Sequence, residues 1–292
     1  MFDLAEYIRN RQQTTGRPVY MPYLTVGDPN FDATVEFALA MVDAGADILE
    51  LGIPFSDPTA DGPVIQAAMV RALAHPDFSL DRIFEVTAKI HAARPDVPLV
   101  FLSYVNPVVR GFAREGIDES ASLAMFLDKC RETGVRGLVL PDLPFDQPES
   151  TMLREMARAR GVSQVLMAAP NTSPARFKAI CKNASGFLYY VTSYGVTGER
   201  KSLPEDTQAN IDRLRAKSGV PILAGFGISR PEQVVPLRSA VDGVIVGSLH
   251  HRIIEEQGAG ATDRLREATS GFVDALRPAS TAPESNAPIP AT

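Results

Sequence analysis

The sequence contains no tryptophan and only two cysteines, Cys130 and Cys181, among 292 residues. Two thiols so far apart, in no Cys-x-x-Cys arrangement, exclude a disulfide framework and fit ordinary thiols in a reducing compartment. Histidine is nearly as scarce. His75, His91, His250 and His251 are the full set, and none falls in an HExxH-type ligand spacing, which argues against a metal site. No apolar run approaches the ~18 residues of a membrane-spanning helix. The first residues, Met1–Arg11, carry scattered charges instead of the apolar stretch of a secretion signal. Lys and Arg number 29 against 35 Asp and Glu, a net charge of −6. Nucleic acid and anionic membranes select for clustered basic residues, so neither is expected as a principal partner. A cytoplasmic protein is the expectation.

What is present is apolar bulk. Hydrophobic residues make up 45% of the chain, enough for a large core without disulfides or metals. Eight short apolar runs predict strands at Val19–Thr25, Ile48–Leu51, Leu99–Ser103, Gly137–Leu140, Gln164–Ala168, Phe187–Val191, Ile222–Gly225 and Gly243–Val246. Between them lie amphipathic stretches. Phe31–Ala44 places Phe31, Val35, Ala38, Leu39 and Val42 on one helical face, and Ser150–Arg160 turns Met152, Leu153 and Met156 inward. Eight strands alternating with helices favour an α/β fold closed as a (β/α)8 TIM barrel over an open sheet, with an extra N-terminal helix in Met1–Arg11. One barrel domain is expected over residues 1–276. Residues 277–292, with Pro278, Pro283, Pro288 and Pro290, read as a disordered C-terminal tail.

In such a barrel, chemistry sits at the C-terminal strand ends and the loops that follow. Glu50 lies inside the second apolar run, where an ionised carboxylate is costly to keep dry. It needs either an Arg or Lys partner, as an architectural charge, or the raised pKa of a group that both gives and takes a proton. Asp57 and Asp61 follow on a loop stiffened by Pro54, Pro58 and Pro63. Asp61-Gly62-Pro63 equally fits a helix N-cap, so cap and functional group stay open. Gly225-Phe226-Gly227 and Gly247-Ser248 follow the last two strands, where these barrels hold phosphate, though glycines also serve as plain turns. Ser229-Arg230-Pro231-Glu232 reads as a capping box. Ser193–Lys201, with Gly195 and Gly198, suggests a closing lid or an ordinary loop.

Several segments together resemble the tryptophan synthase α subunit family. They are Tyr23–Pro29, Glu50–Pro58 continuing through Ala60-Asp61-Gly62-Pro63 to Gln66, Pro141–Pro144, Gly195–Gly198 and Gly225–Ser229. The resemblance spans roughly residues 1–276. It implies a cofactor-free retro-aldol cleavage of indole-3-glycerol phosphate to indole and glyceraldehyde 3-phosphate. By it, Glu50 shuttles protons, Asp61 stabilises charge at the indole N–H, and Tyr189 is an active-site tyrosine. Thr197 becomes the lid residue, and Gly198, Gly227, Gly247 and Ser248 the phosphate cradle. It also implies a pyridoxal-phosphate β subunit as partner in an α2β2 heterotetramer, faced by Pro54, Asp57 and Tyr104–Pro107. A stand-alone lyase releasing indole, a non-catalytic activating subunit and a sugar-phosphate isomerase are the rival readings. Tyr23 departs from the family in standing where a Phe often lines the indole pocket, which leaves its hydroxyl needing a partner. Pro236 is expected to kink the helix after the seventh strand.

Overall fold

A computed structural model of the protein describes residues 2–191, 207–225 and 227–278. Its strands are β1 (Val19–Thr25), β2 (Leu49–Gly52), β3 (Leu99–Leu102), β4 (Val135–Val139), β5 (Ser163–Ala168), β6 (Leu188–Val191), β7 (Ile222–Gly225) and β8 (Gly243–Val246). All neighbours pair in parallel and β8 closes onto β1, giving the expected barrel. The described helices are α1 (Leu4–Thr15), α2 (Phe31–Asp43), α3 (Pro63–Leu73), α4 (Leu80–Ala93), α5 (Val105–Arg110), α6 (Glu119–Glu132), α7 (Pro148–Arg158), α8 (Pro174–Asn183), α9 (Thr207–Arg215), α10 (Ser248–Gln257) and α11 (Thr262–Leu276). Local sequence starts many of them. Asp3, Asn30, Ser79, Asp118 and Ser173 accept first-turn N–H groups, and proline opens α3, α7 and α8.

Alternation along each strand divides the core in two. Tyr20, Leu24, Leu49, Leu51, Phe101 and Leu138 face the helical ring, whereas Val19, Met21, Tyr23, Ile48, Val100, Val165, Phe187, Tyr189 and Ile245 fill the barrel. Leu4 and Ile8 of α1 join the inner set and plug one end. Asp47 ties that end together. Its carboxylate accepts from Arg17 Nη1 at 2.6 Å, Arg11 Nε at 2.6 Å and the Tyr20 N–H at 2.8 Å. The opposite end, where the strands finish, is left open for a site.

Four helical details differ from the sequence reading. In α2 the buried face runs through Phe31, Ala33, Thr34, Phe37, Ala38 and Met41, while Val35, Leu39 and Val42 are half-buried, because α2 packs between α4 and α11. In α7, Met152 is 40% exposed and Leu153 with Ala157 carries the packing. After β7 there is no kinked α-helix but a single 3-10 turn, Pro231–Gln233, followed by turns around Pro236, which has no N–H to continue a helical ladder. The expected Ser229 capping box is also replaced. Arg230 is the N-cap, and the Gln233 side chain accepts from the N–H groups of Ser229 and Arg230 at 2.8 and 2.9 Å.

Candidate active site

The strand ends surround a cleft of about 440 Å³ of space, mouth included, lined by Tyr23, Glu50, Asp61, Ile65, Leu102, Tyr189, Gly227, Ile228, Ile245, Gly247 and Ser248. Five of the expected site residues therefore meet there with Tyr189: Glu50, Asp61, Gly227, Gly247 and Ser248. Thr197 and Gly198 lie outside the described residues. Asp57 is exposed and is not among the cleft's lining residues.

Glu50 points into the barrel from the middle of β2 and is 1% exposed. Its Oε1 is buried without a hydrogen-bond partner, and among the described residues no Lys or Arg pairs with it. The architectural reading thus has no partner among the described residues. Burial, and then the nearby charge of Asp61, push its pKa up to about 8. Glu50 is thus held as a carboxylic acid near neutral pH, able to give a proton and take it back.

Asp61 is not a helix cap. Gly62 is the N-cap of α3 and no side chain caps it. The Asp61 carboxylate instead accepts from the Tyr104 hydroxyl at 2.6 Å, and the same hydroxyl accepts from the Ala60 N–H at 3.1 Å. Burial raises the Asp61 pKa to about 6, against the pull of the Tyr104 hydrogen bond. Ionised Asp61 and protonated Glu50 can therefore coexist at neutral pH, which separates two like groups into an anion and an acid. Tyr104 was expected on the partner-facing loop, yet its side chain is buried in the site, stacked on Phe55 at 5.2 Å. The signal was available, since Tyr104 directly follows a strand end. Asp142 steadies this tyrosine by accepting the Val105 N–H at 3.1 Å.

Glycines at three strand ends make room for the aromatic walls. A Cβ on Gly52 would overlap the Tyr23 hydroxyl, one on Gly225 would lie 2.6 Å from the Tyr189 hydroxyl, and one on Gly247 3.2 Å from the Tyr23 ring. At the other side of the cleft, α10 begins at Ser248 with Gly247 as an N-cap that offers no side chain. Gly227, at φ 84°, holds a left-handed conformation that favours glycine. The uncapped first-turn N–H groups of α10 and the Ser248 hydroxyl suit an anion. Ile65, Leu102, Ile228 and Ile245 line the space between, suited to a flat apolar ring.

The sequence profile described as "Tryptophan synthase alpha chain" matches residues 10–277. The chain belongs to the tryptophan synthase alpha chain family. Among relatives of that name, the protein of Leptospira biflexa is 43% identical over 261 residues, covering 89% of this chain and 94% of the relative. That of Leptospira interrogans is 45% identical over 241 residues, covering 82% and 87%. A solved structure of tryptophan synthase subunit alpha from Legionella pneumophila superposes with a TM-score of 0.79 at 30% identity, covering 94% of this chain and 99% of that one. A mutant α subunit from Pyrococcus furiosus gives 0.77 at 35% identity, covering 88% and 99%. The Glu50–Pro63 segment that carried the resemblance is also the segment that supplies both carboxyl groups of the cleft.

Proposed function

We propose that the cleft cleaves indole-3-glycerol phosphate to indole and glyceraldehyde 3-phosphate, with Glu50 and Asp61 as its acid–base pair. The observation that carries this reading is Glu50 itself, buried, unpaired at Oε1 and raised to about pKa 8 beside an anionic partner. Protonated Glu50 donates to ring carbon C3, which leaves the ring as a cation with its charge at the N–H. Asp61, kept anionic by Tyr104, stabilises that charge. The Glu50 carboxylate then takes the proton of the glycerol hydroxyl next to the ring. Its O–H electrons form the aldehyde carbonyl, and the C–C electron pair returns to the ring to release indole. One proton has moved from hydroxyl to C3 and none is consumed. The protonated ring is the electron sink, so the step calls for no cofactor in this chain.

Tyr189, set in β6 across the barrel from β2, closes the ring site beside both carboxyl groups. Gly227, Gly247 and Ser248 take the phosphate at the α10 N-terminus. Thr197 and Gly198 are assigned to the lid and the phosphate cradle on the family resemblance. On the same ground the indole passes to a pyridoxal-phosphate β subunit in an α2β2 assembly. Asp57, on the loop after β2, and Asn106, in α5 after β3, are exposed and open to such a partner.

Glu50→Gln is expected to abolish indole release while a phosphate-bearing substrate analogue still binds. Asp61→Asn is expected to lower kcat by at least ~10²-fold, the scale of lost transition-state electrostatics. Indole release near the wild-type rate from Glu50→Gln overturns the assignment. Added β subunit should raise the rate and co-purify.

A further inference from the structure

The hydroxyl of Tyr23 ends a chain of buried polar groups that the reaction just described leaves unused. It lies 3.1 Å from Thr25 Oγ1. The Thr25 N–H donates to His251 Nε2 at 3.0 Å, and His251 Nδ1 is 2.9 Å from Asp28 Oδ2. Asp28 in turn accepts from Arg71 Nε and Nη2 at 2.7 and 2.9 Å. Tyr23, Thr25, Asp28 and His251 are all buried, and only Arg71 reaches solvent.

The chain has one direction. A backbone N–H can only donate, so His251 Nε2 presents its lone pair and the ring proton sits on Nδ1, donated to Asp28. Imidazole nitrogen has a single in-plane lone pair, and the Thr25 N–H occupies it. The Thr25 hydroxyl is 3.3 Å from that same nitrogen, which the N–H already engages at 3.0 Å, and 3.1 Å from the Tyr23 oxygen; we assign its proton to the shorter contact, toward Tyr23. The proton of Tyr23 is then directed away from Thr25, toward the cleft that Tyr23 lines. Burial, with the charges of Asp61 and Glu50 behind it, raises the Tyr23 pKa well above its ordinary value and keeps that proton in place. A phenylalanine would serve a purely apolar ring site without any of these groups.

We propose that Tyr23 is a specificity-determining residue whose hydroxyl is a fixed hydrogen-bond donor to an acceptor on the edge of the bound aromatic ring, with Thr25, His251 and Asp28 as positioning residues. The inference rests on the ring lying among the apolar walls as proposed above. It extends the accepted substrates to bicyclic rings that carry a nitrogen or oxygen acceptor at the position facing Tyr23.

The test runs the reaction in reverse, condensing glyceraldehyde 3-phosphate with indole or with 4-, 5-, 6- or 7-azaindole, each of which replaces one ring C–H by an acceptor nitrogen. For one azaindole, Tyr23→Phe should lower kcat/KM relative to indole by about five- to tenfold, the worth of one net hydrogen bond, and the change should appear in KM. His251→Leu should reproduce that change. His251→Gln should restore it, because an amide accepts from the Thr25 N–H through oxygen and donates to Asp28 through nitrogen. A uniform shift across all five rings, or none, overturns the proposal. If wild type condenses no ring at all, the reaction reading fails by itself. The same azaindole-to-indole ratio, measured as binding by ligand fluorescence in a chain without tryptophan, then decides Tyr23 separately.

Discussion

Two carboxylates three residues apart, Asp47 and Glu50, are buried to the same degree, at 1% exposure each, and are treated in opposite ways. Asp47 stands at the end of the barrel plugged by α1. Arg17, itself 5% exposed in its side chain, pairs with it, Arg11 adds a second cation, and the Tyr20 N–H fills the remaining acceptor site. Glu50 stands at the open end, with Oε1 unpaired and, among the described residues, no cation in the cleft wall. Burial penalises both charges equally. The fold neutralises the first and leaves the second to be resolved by protonation. A buried charge with full pairing is architecture, and one without it is stored reactivity. The two should therefore fail differently when altered.

The largest effect is expected at Asp47. Asp47→Asn leaves Arg17 buried without a counter-charge, which should cost ~3–5 kcal/mol of unfolding free energy. Urea titration measures the loss, and the rate per folded molecule should stay near wild type. A variant as stable as wild type would mean that Arg17 escapes to water, and the contrast between the two carboxylates would collapse.

Glu50 should show the reverse. Its pKa is raised on folding from 4.5 to about 8, so between those values the folded state binds a proton that the unfolded state has released. Stability must then fall as pH rises through that window, by up to ~1.4 kcal/mol per pH unit, and level off above it. Glu50→Gln has no such proton and should lack this component of the slope while losing activity. Unfolding titrations at several pH values compare the two. Matching slopes in wild type and variant would show that Glu50 is not protonated in the folded protein.

The sequence carried most of the barrel because parallel buried strands are continuous apolar runs. Val19–Thr25, Ile222–Gly225 and Gly243–Val246 stand where expected. Faces were harder to read. In α7, Met152 was expected inward because it is apolar, yet packing selected Leu153 and Ala157, and helix phase is set by neighbours that periodicity does not see. At the site, Glu50 stood out in the sequence because an acid inside an apolar run needs either a cation partner or a proton, and the structure finds it buried with no Lys or Arg partner among the described residues. Asp61 was ambiguous because an N-cap and a functional acid share the same loop position, and only the Tyr104 hydroxyl separates them. The Tyr23 chain joins residues 23 to 28 with Arg71 and His251, distant in sequence and brought together by the closing of β8 onto β1. No local pattern announces such a contact.

Tyr104 offers the finest test, because it is what makes Asp61 resemble Asp47 more than Glu50. Its hydroxyl gives Asp61 one strong hydrogen bond, and that bond opposes the rise in pKa that burial imposes. Tyr104→Phe removes the donor but keeps the ring that stacks on Phe55. The Asp61 pKa should then climb above about 6, so the acidic limb of kcat/KM against pH should move toward neutrality. Near pH 7 the rate should fall by about three- to tenfold, in keeping with one hydrogen bond to a charged group partly replaced by water. Well above that limb Asp61 is ionised in both proteins, and most of the difference should disappear. A deficit of equal size at every pH would assign Tyr104 to shaping the ring site and not to holding the charge of Asp61.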